Sequence, residues 1–209
     1  MCVLTQENSW IRALSLKTKI FFRSQKKGIQ MSNIIKTILA TLTLITLNAC
    51  SSVNNTPTAK NVNLKRYMGK WYEIARFETS FQRGKFDSQA DYVLLDDGTV
   101  SITNSATDKY GNRTKATAKG YAPDPNDPSK LRISFFRPFY ADYLILALDP
   151  NYQWALVAGS GKDYLWILSR TPTLPEDTIN RIIATAEKLE FDTSRLIFNS
   201  KFTKVALSD

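Results

Sequence analysis

Short segments that alternate polar and apolar residues fill most of the chain between residues 71 and 169. In one of them Val100 and Ile102 share a face, and a polar residue stands between them. Alternation with a period of two is typical of β-strands that bury one face in a core. Asp97-Gly98 precedes this segment, and Asp-Gly is a strong signal for a tight hairpin. The pattern predicts antiparallel strands joined by short turns.

The alternation and the turn residues together predict eight strands. They are Trp71–Glu78, Gln89–Asp96, Thr99–Ala106, Thr114–Ala122, Leu131–Phe135, Asp142–Leu148, Trp154–Gly159 and Tyr164–Ser169. Nearly even spacing fits an up-and-down barrel or a β-sandwich, and a closed barrel is favoured because it leaves no exposed edge strand. We therefore predict an all-β fold, an eight-stranded antiparallel up-and-down β-barrel. Such a barrel encloses room for about one small ligand.

One helix is predicted after the strands. Thr173 and Glu176 fit a capping box, with Pro175 in the first turn. Apolar residues then recur at helical spacing, so one face of the helix is expected to pack outside the barrel. Their positions are Ile179, Ile182, Ile183, Ala186 and Leu189. A short final strand is predicted at Arg195–Asn199.

Charge and composition exclude several classes of function. Residues 1–50 carry +6 of the net charge of +9, so the rest of the chain has no strong basic excess, and nucleic acid is not expected as a partner. The chain has no histidine, and its two cysteines, Cys2 and Cys50, precede the predicted barrel. A histidine-based catalytic triad and a thiolate metal site are therefore excluded from the barrel. No metal and no cofactor are predicted.

The first 60 residues are predicted to be targeting and tether segments. Residues 31–49 have a basic start at Lys36 and a short apolar stretch, as in a cleavable export signal. Leu47 to Cys50 resembles the lipobox of bacterial lipoproteins, which implies lipidation of Cys50; an uncleaved signal anchor is the alternative. Residues 50–60 would be a lipidated tether, residues 1–30 a misassigned N-terminal extension, and residues 61–209 the barrel domain.

Three short motifs resemble those of the lipocalin family. Gly69-Lys70-Trp71 resembles the G-x-W fingerprint that opens lipocalins. Asp142-Tyr143 is similar to the second motif, T-D-Y, and Arg170 matches the lone arginine after the last barrel strand. Longer runs, Trp71–Phe77 and Tyr164–Pro172, look like bacterial outer-membrane lipocalins and their apolipoprotein-D-like relatives. The resemblance covers about residues 61–200.

The resemblance implies structural roles for these motif residues at the closed end of the barrel. Trp71 would plug that end, with Arg170 across its indole face. Gly69 would let the backbone pass closely because it has no Cβ. Asp142 would accept hydrogen bonds from neighbouring backbone groups or from the closing loop, beside Tyr143.

Ligand contacts are expected at the centre and the open end of the barrel. Period-two alternation points eight candidates inward: Ala75, Phe77, Tyr92, Leu94, Ile102, Phe135, Tyr143 and Trp154. The parity of residues 142–148 and 154–159 stays open, because both faces of those strands are apolar. The loops around the mouth would carry Phe81, Phe136 and Phe139, as a lid or a membrane-touching rim. Basic residues stand beside them, namely Arg83, Lys85 and Arg137.

The resemblance implies binding rather than catalysis. The predicted function is to hold or carry a fatty acid or lysophospholipid, with the protein anchored in the outer membrane of a Gram-negative bacterium and facing the periplasm. A lipocalin-like isomerase or cyclase is one alternative, but Glu73 on the first strand lacks an obvious second acid–base partner. A purely structural envelope lipoprotein is the other alternative. The sequence leaves open whether the protein forms a homodimer.

Overall fold

A computed structural model describes residues 56–199 of the chain. The predictions for residues 1–30, for the signal peptide at residues 31–49 and for Cys50 lie outside the described residues. Contacts group residues 52–209 into one compact unit. Within the described residues, no helix is both long enough and apolar enough to cross a membrane.

Eight antiparallel strands form a closed barrel within residues 56–199, which confirms the predicted fold class. A short helix, α1 (Leu64–Tyr67), precedes the strands. The strands are β1 (Gly69–Phe77), β2 (Lys85–Leu94), β3 (Val100–Asp108), β4 (Arg113–Tyr121), β5 (Lys130–Phe136), β6 (Phe139–Leu148), β7 (Trp154–Ala158) and β8 (Leu165–Ser169). Each strand pairs with the next, and β1 pairs with both β8 and β2, so the sheet has closed on itself.

A helix and a ninth strand follow the barrel, as predicted. They are α2 (Glu176–Lys188) and β9 (Leu196–Phe198), with a turn of 3₁₀ helix between them. β9 pairs with the second half of β1, whereas β2 pairs with its first half. The predicted capping box is wrong, because α2 begins only at Glu176 and Pro175 is its N-cap without a side-chain hydrogen bond. Thr173 therefore lies too far upstream to cap the helix.

Apolar side chains pack in two separate clusters, one on each side of the sheet. The inner cluster fills the closed end of the barrel and includes Trp71, Ile102 and Ile145. The outer cluster lies between the sheet and α2, which contributes Ile179 and Ile182. Because α2 covers their outer face, the last barrel strands are apolar on both faces.

The closed end is where β1 begins and the open end is where it finishes.

The chain packs against the barrel before the predicted boundary at residue 61. Thr58 is 9% exposed and accepts a hydrogen bond from Ser129 at 2.9 Å, and the backbone N–H of Ala59 donates to the carbonyl of Ile145. The last residues of the predicted tether, from Thr58 on, are thus part of the folded unit.

Candidate functional site

A cavity of about 730 Å³ occupies the barrel and opens at the end where β1 finishes. This volume lies within the range of small-molecule sites, roughly 300–1,000 Å³. Towards the closed end the lining is mainly aliphatic and aromatic: Trp71, Ala90, Tyr92, Ile102, Ile133, Tyr143, Val157 and Leu168. Nearer the mouth it includes more polar groups: Glu73, Gln82, Lys85, Ser88, Asn104, Thr114 and Lys115. The cavity is therefore amphipathic along its length.

Trp71 and Arg170 close the narrow end of the barrel as the motifs predicted. Trp71 is fully buried, and the guanidinium carbon of Arg170 lies 3.8 Å from its ring centroid. The indole N–H donates to the carbonyl of Tyr67 at 2.8 Å. Gly69 has a φ of +92°, and a Cβ there would lie 3.3 Å from an Arg170 nitrogen. The glycine thus gives both the backbone conformation and the space that the arginine needs.

Asp142 does not lie at the closed end, so that prediction is wrong. Its carboxylate lines the cavity and accepts from Arg132 Nη1 at 2.8 Å and from Ser160 Oγ at 2.7 Å, near the open end. Asp149, in the turn between β6 and β7 at the closed end, accepts from the backbone N–H groups of Asn151 and Gln153. Because β6 runs from the open end to the closed end, Asp142 near its start stands far from Arg170.

Three tyrosine hydroxyls meet beneath the cavity. The Tyr143 hydroxyl lies 2.6 Å from that of Tyr67 and 3.1 Å from that of Tyr92. Burial raises the pKa of the Tyr92 hydroxyl to about 12. It also raises the pKa of Tyr67 and of Tyr143 well above the value of 10 for an ordinary tyrosine. All three groups are therefore neutral phenols at physiological pH.

A buried charged cluster forms the wall beside β1. Glu73 accepts from Arg76 at 2.9 Å and from the Gln82 side-chain amide at 2.7 Å. The Gln82 oxygen in turn accepts from the indole N–H of Trp166 at 2.9 Å. Burial raises the pKa of Glu73, while Arg76 and Gln82 act in the opposite direction. Sequence reasoning missed the partners of Glu73, because Arg76 would lie on the opposite face of a regular strand and reaches Glu73 only through the bulge in β1, and Gln82 approaches it only through the fold.

Two polar atoms of the cavity-lining residues are buried and have no hydrogen-bond partner within the described part of the chain: Ser88 Oγ and Asn104 Oδ1. Lys85 also lines the cavity, and its Nζ donates to Thr114 Oγ1 at 3.3 Å. This part of the wall can therefore exchange hydrogen bonds with a ligand or with water, and it carries positive charge.

Aromatic side chains surround the mouth. Phe81, Phe136 and Phe139 are 64%, 76% and 68% exposed, as expected of the predicted loops. The Phe81 ring stacks on Tyr164 with centroids 6.4 Å apart, and Tyr164 stacks on Trp166 at 6.2 Å. These stacked rings extend the apolar surface from the cavity wall to the rim.

Four of the eight predicted ligand residues line the cavity: Tyr92, Ile102, Phe135 and Tyr143. The other four do not. Ala75, Phe77 and Trp154 belong to the outer cluster under α2, so their predicted inward orientation is wrong. A β-bulge between Glu73 and Ala75 shifts the alternation of β1, and Trp154 lies on the strand face that α2 covers. Leu94 packs against the inner cluster but does not line the cavity.

Comparison with known proteins gives one family and several relatives. The family model "Lipocalin-like domain" matches residues 62–201. The chain is 35% identical over 167 residues to outer membrane lipoprotein Blc of Vibrio cholerae, covering 78% of this chain and 98% of that protein. It is 40% identical over 154 residues to outer membrane lipoprotein Blc of Escherichia coli K12, covering 72% and 87%.

A solved structure shares the fold. Insecticyanin from the tobacco hornworm Manduca sexta superposes with a TM-score of 0.59 at 20% sequence identity, covering 70% of this chain and 84% of that one. At this identity the likeness concerns the architecture of the barrel.

Proposed function

Because the chain belongs to the lipocalin family, we propose that it is a lipid-anchored protein of the bacterial envelope that holds a fatty acid or a lysophospholipid in its barrel. The observation that carries the proposal is the open cavity of about 730 Å³ with a mainly apolar lower part. Burial of an acyl chain there gains about 25 cal/mol per Å², before the costs of association are subtracted.

The polar end of the ligand is proposed to lie near the mouth. Lys85 lines the cavity there and offers positive charge to a carboxylate or phosphate. Asp142 and Glu73 also line the cavity, but each carboxylate is paired with an arginine at 2.8–2.9 Å. Lys85 also interacts electrostatically with Asp108 at the end of β3, and an anionic headgroup would share this cation with Asp108.

The two cavity carboxylates support binding rather than catalysis. Glu73 is held by Arg76 and Gln82, and Asp142 by Arg132 and Ser160. A general base needs to reach a proton of its substrate, and these hydrogen bonds occupy both oxygens of each carboxylate. These two carboxylates therefore do not favour an isomerase or cyclase activity.

Lipidation of Cys50 would place the barrel at the outer membrane. The two bacterial relatives are named outer membrane lipoproteins. One acyl chain holds a protein to a membrane only marginally, whereas two or more hold it firmly. The chain between Cys50 and Thr58 would then be the link between the anchor and the barrel.

Tryptophan fluorescence of the compact unit, residues 52–209, tests the binding proposal. Both hydrophobic clusters and the closed ring of strands are built from residues 56–199, so this unit contains the whole barrel. Trp71 and Trp166 line the cavity, and titration with hexadecanoate or a lysophospholipid should change their emission saturably. No saturable change with either amphiphile, in protein that melts cooperatively, would refute the proposal.

A further inference from the structure

The tyrosines under the cavity have one hydroxyl proton more than their mutual hydrogen bonds can use. Three phenol groups carry three protons, and two O–O contacts, Tyr67 to Tyr143 and Tyr143 to Tyr92, consume two. The third proton has no acceptor among the described residues. Which tyrosine carries this third proton depends on which hydroxyl is the donor in each of the two hydrogen bonds.

Burial decides which tyrosine carries the spare proton. Tyr67 is 0% exposed and does not line the cavity, so a free O–H there would be a buried donor without a partner, which is costly. Tyr67 therefore donates to Tyr143. The spare proton is then on Tyr92 or Tyr143, and both of these line the cavity. The raised pKa values keep the groups protonated.

We propose that the floor of the cavity is a hydrogen-bond subsite for an oxygen at the buried end of the ligand, supplied by Tyr92 and Tyr143. This inference rests on the proposed function and deepens it: the preferred ligand is an acyl chain oxygenated near its tail. A plain methyl end offers the phenol no acceptor, so the spare O–H would be buried without a partner, which loses affinity. A terminal hydroxyl restores the acceptor.

Binding of two pairs of acids to three proteins, each comprising residues 52–209, tests the subsite. One pair is hexadecanoate and 16-hydroxyhexadecanoate, and the shorter pair is dodecanoate and 12-hydroxydodecanoate. The proteins are the wild type, the double variant Tyr92→Phe/Tyr143→Phe and the variant Tyr67→Phe. The quantity of interest is the ratio of the dissociation constants of the hydroxylated and plain acids, because it cancels general effects on binding.

The two variants should differ sharply. The double variant removes both phenolic donors at the floor of the cavity, so the ratio should rise about tenfold for at least one chain length. Tyr67→Phe removes one hydroxyl of the same cluster, but it leaves two protons for a single O–O contact. One proton still faces the cavity, so the ratio should stay within about twofold of the wild-type value.

The outcomes separate the two proposals. Binding of both acids with the same ratio in the wild type and the double variant would overturn the subsite and leave the proposed function in place. An equal rise of the ratio in Tyr67→Phe would also overturn the subsite, because repacking of the cluster would then explain it. If the wild type binds none of the four acids, the subsite fails, and the titration with a lysophospholipid then decides the proposed function. Near-ultraviolet circular dichroism and cooperative melting verify that each variant folds.

Discussion

The guanidinium of Arg170 lies 3.8 Å from the ring centroid of Trp71, and it also donates to the backbone carbonyls of Tyr67 and Lys70 at 3.1 and 2.8 Å. One side chain thus joins α1, the start of β1 and the end of β8. This contact closes the barrel beneath the cavity, so it is expected to govern stability rather than ligand recognition.

Replacement of Arg170 should destabilise the barrel in two steps. Arg170→Lys keeps the charge but loses the planar fork of donors, and the free energy of unfolding should fall by about 2 kcal/mol. Arg170→Ala also removes the cation–π contact, and the loss should be about 3 kcal/mol. Urea denaturation followed by circular dichroism measures both. A loss below about 0.5 kcal/mol for the alanine variant would contradict this role.

Gly69→Ala should cost more than the same change at a glycine with open surroundings. The alanine would be strained at a φ of +92°, and its Cβ would lie 3.3 Å from Arg170, so we expect a loss of about 2–3 kcal/mol. Gly98 also has a positive φ, +77°, but nothing lies within 4 Å of its added Cβ. Gly98→Ala is thus the matched control, with about 1 kcal/mol expected in urea denaturation. Equal losses at both positions would exclude the contact with Arg170 as a cause.

Asp97 should make the stability of the barrel depend on acid pH. The Thr99 hydroxyl, the Thr99 backbone N–H and Lys119 lower the pKa of Asp97 from 3.8 to about 2. A lowered pKa stabilises the folded state above the unfolded value, and this stabilisation disappears as the pH falls from about 4 to 2. Melting temperatures of the wild type and Asp97→Asn should therefore differ at pH 5 and converge towards pH 2.

The neighbouring variant Asp96→Asn is the control for Asp97. It removes an exposed carboxylate one position earlier in the chain, and it should not reproduce the convergence. If both variants follow the wild type in parallel across this pH range, the Asp97 hydrogen bonds do not contribute to folding.

Lys85 in the upper cavity should discriminate between charged and neutral ligands. Lys85→Gln removes a cation from the wall, and the affinity for hexadecanoate should fall about fivefold. Hexadecanol has the same chain without the charge, and its affinity should change less than twofold. Calorimetric titration at low and high salt measures the effect, which should shrink as salt screens the charges. An equal loss for the alcohol would show that Lys85 acts by packing.

The architecture could be predicted from the sequence because it depends on local patterns. Period-two alternation and turns such as Asp97-Gly98 specify strands, and the helical spacing of Ile179 and Ile182 specifies α2. The largest shift of a strand start is at β2, which begins at Lys85 rather than Gln89. A bulge between Phe86 and Gln89 interrupts the alternation there.

The orientation of individual side chains was harder to predict, for two physical reasons. The bulge in β1 reverses the parity after Glu73, so counting by two from Trp71 wrongly places Ala75 and Phe77 inside. In β7, the rule that outward residues are polar fails because α2 covers the outer face, and Trp154 lies on that face. Neither a bulge nor a covering helix leaves a clear signal within one strand.

The polar groups of the cavity depend on contacts between residues far apart in the chain. Tyr67 and Tyr143 meet although 76 positions separate them, and 84 positions separate Gln82 from Trp166. The alternation suggested that Tyr92 faces inward, but it could not reveal a shared chain of hydroxyls. The prediction put Asp142 at the wrong end of the barrel, because a two-residue motif does not specify how far along its strand a residue lies.

A bulky side chain in the cavity tests whether the ligand binds inside the barrel. Ala116 lines the cavity and pairs with Asn104 on the neighbouring strand β3. The next residue, Thr117, pairs with Thr103, and both lie on the other face of the sheet. Ala116→Trp therefore places an indole inside the cavity, and Thr117→Trp places the same side chain outside it. Calorimetry with hexadecanoate and a lysophospholipid should give a dissociation constant of about 1 µM or below for the wild type and Thr117→Trp, and at least tenfold weaker binding for Ala116→Trp. Equal affinity of Ala116→Trp and the wild type would contradict binding inside the barrel.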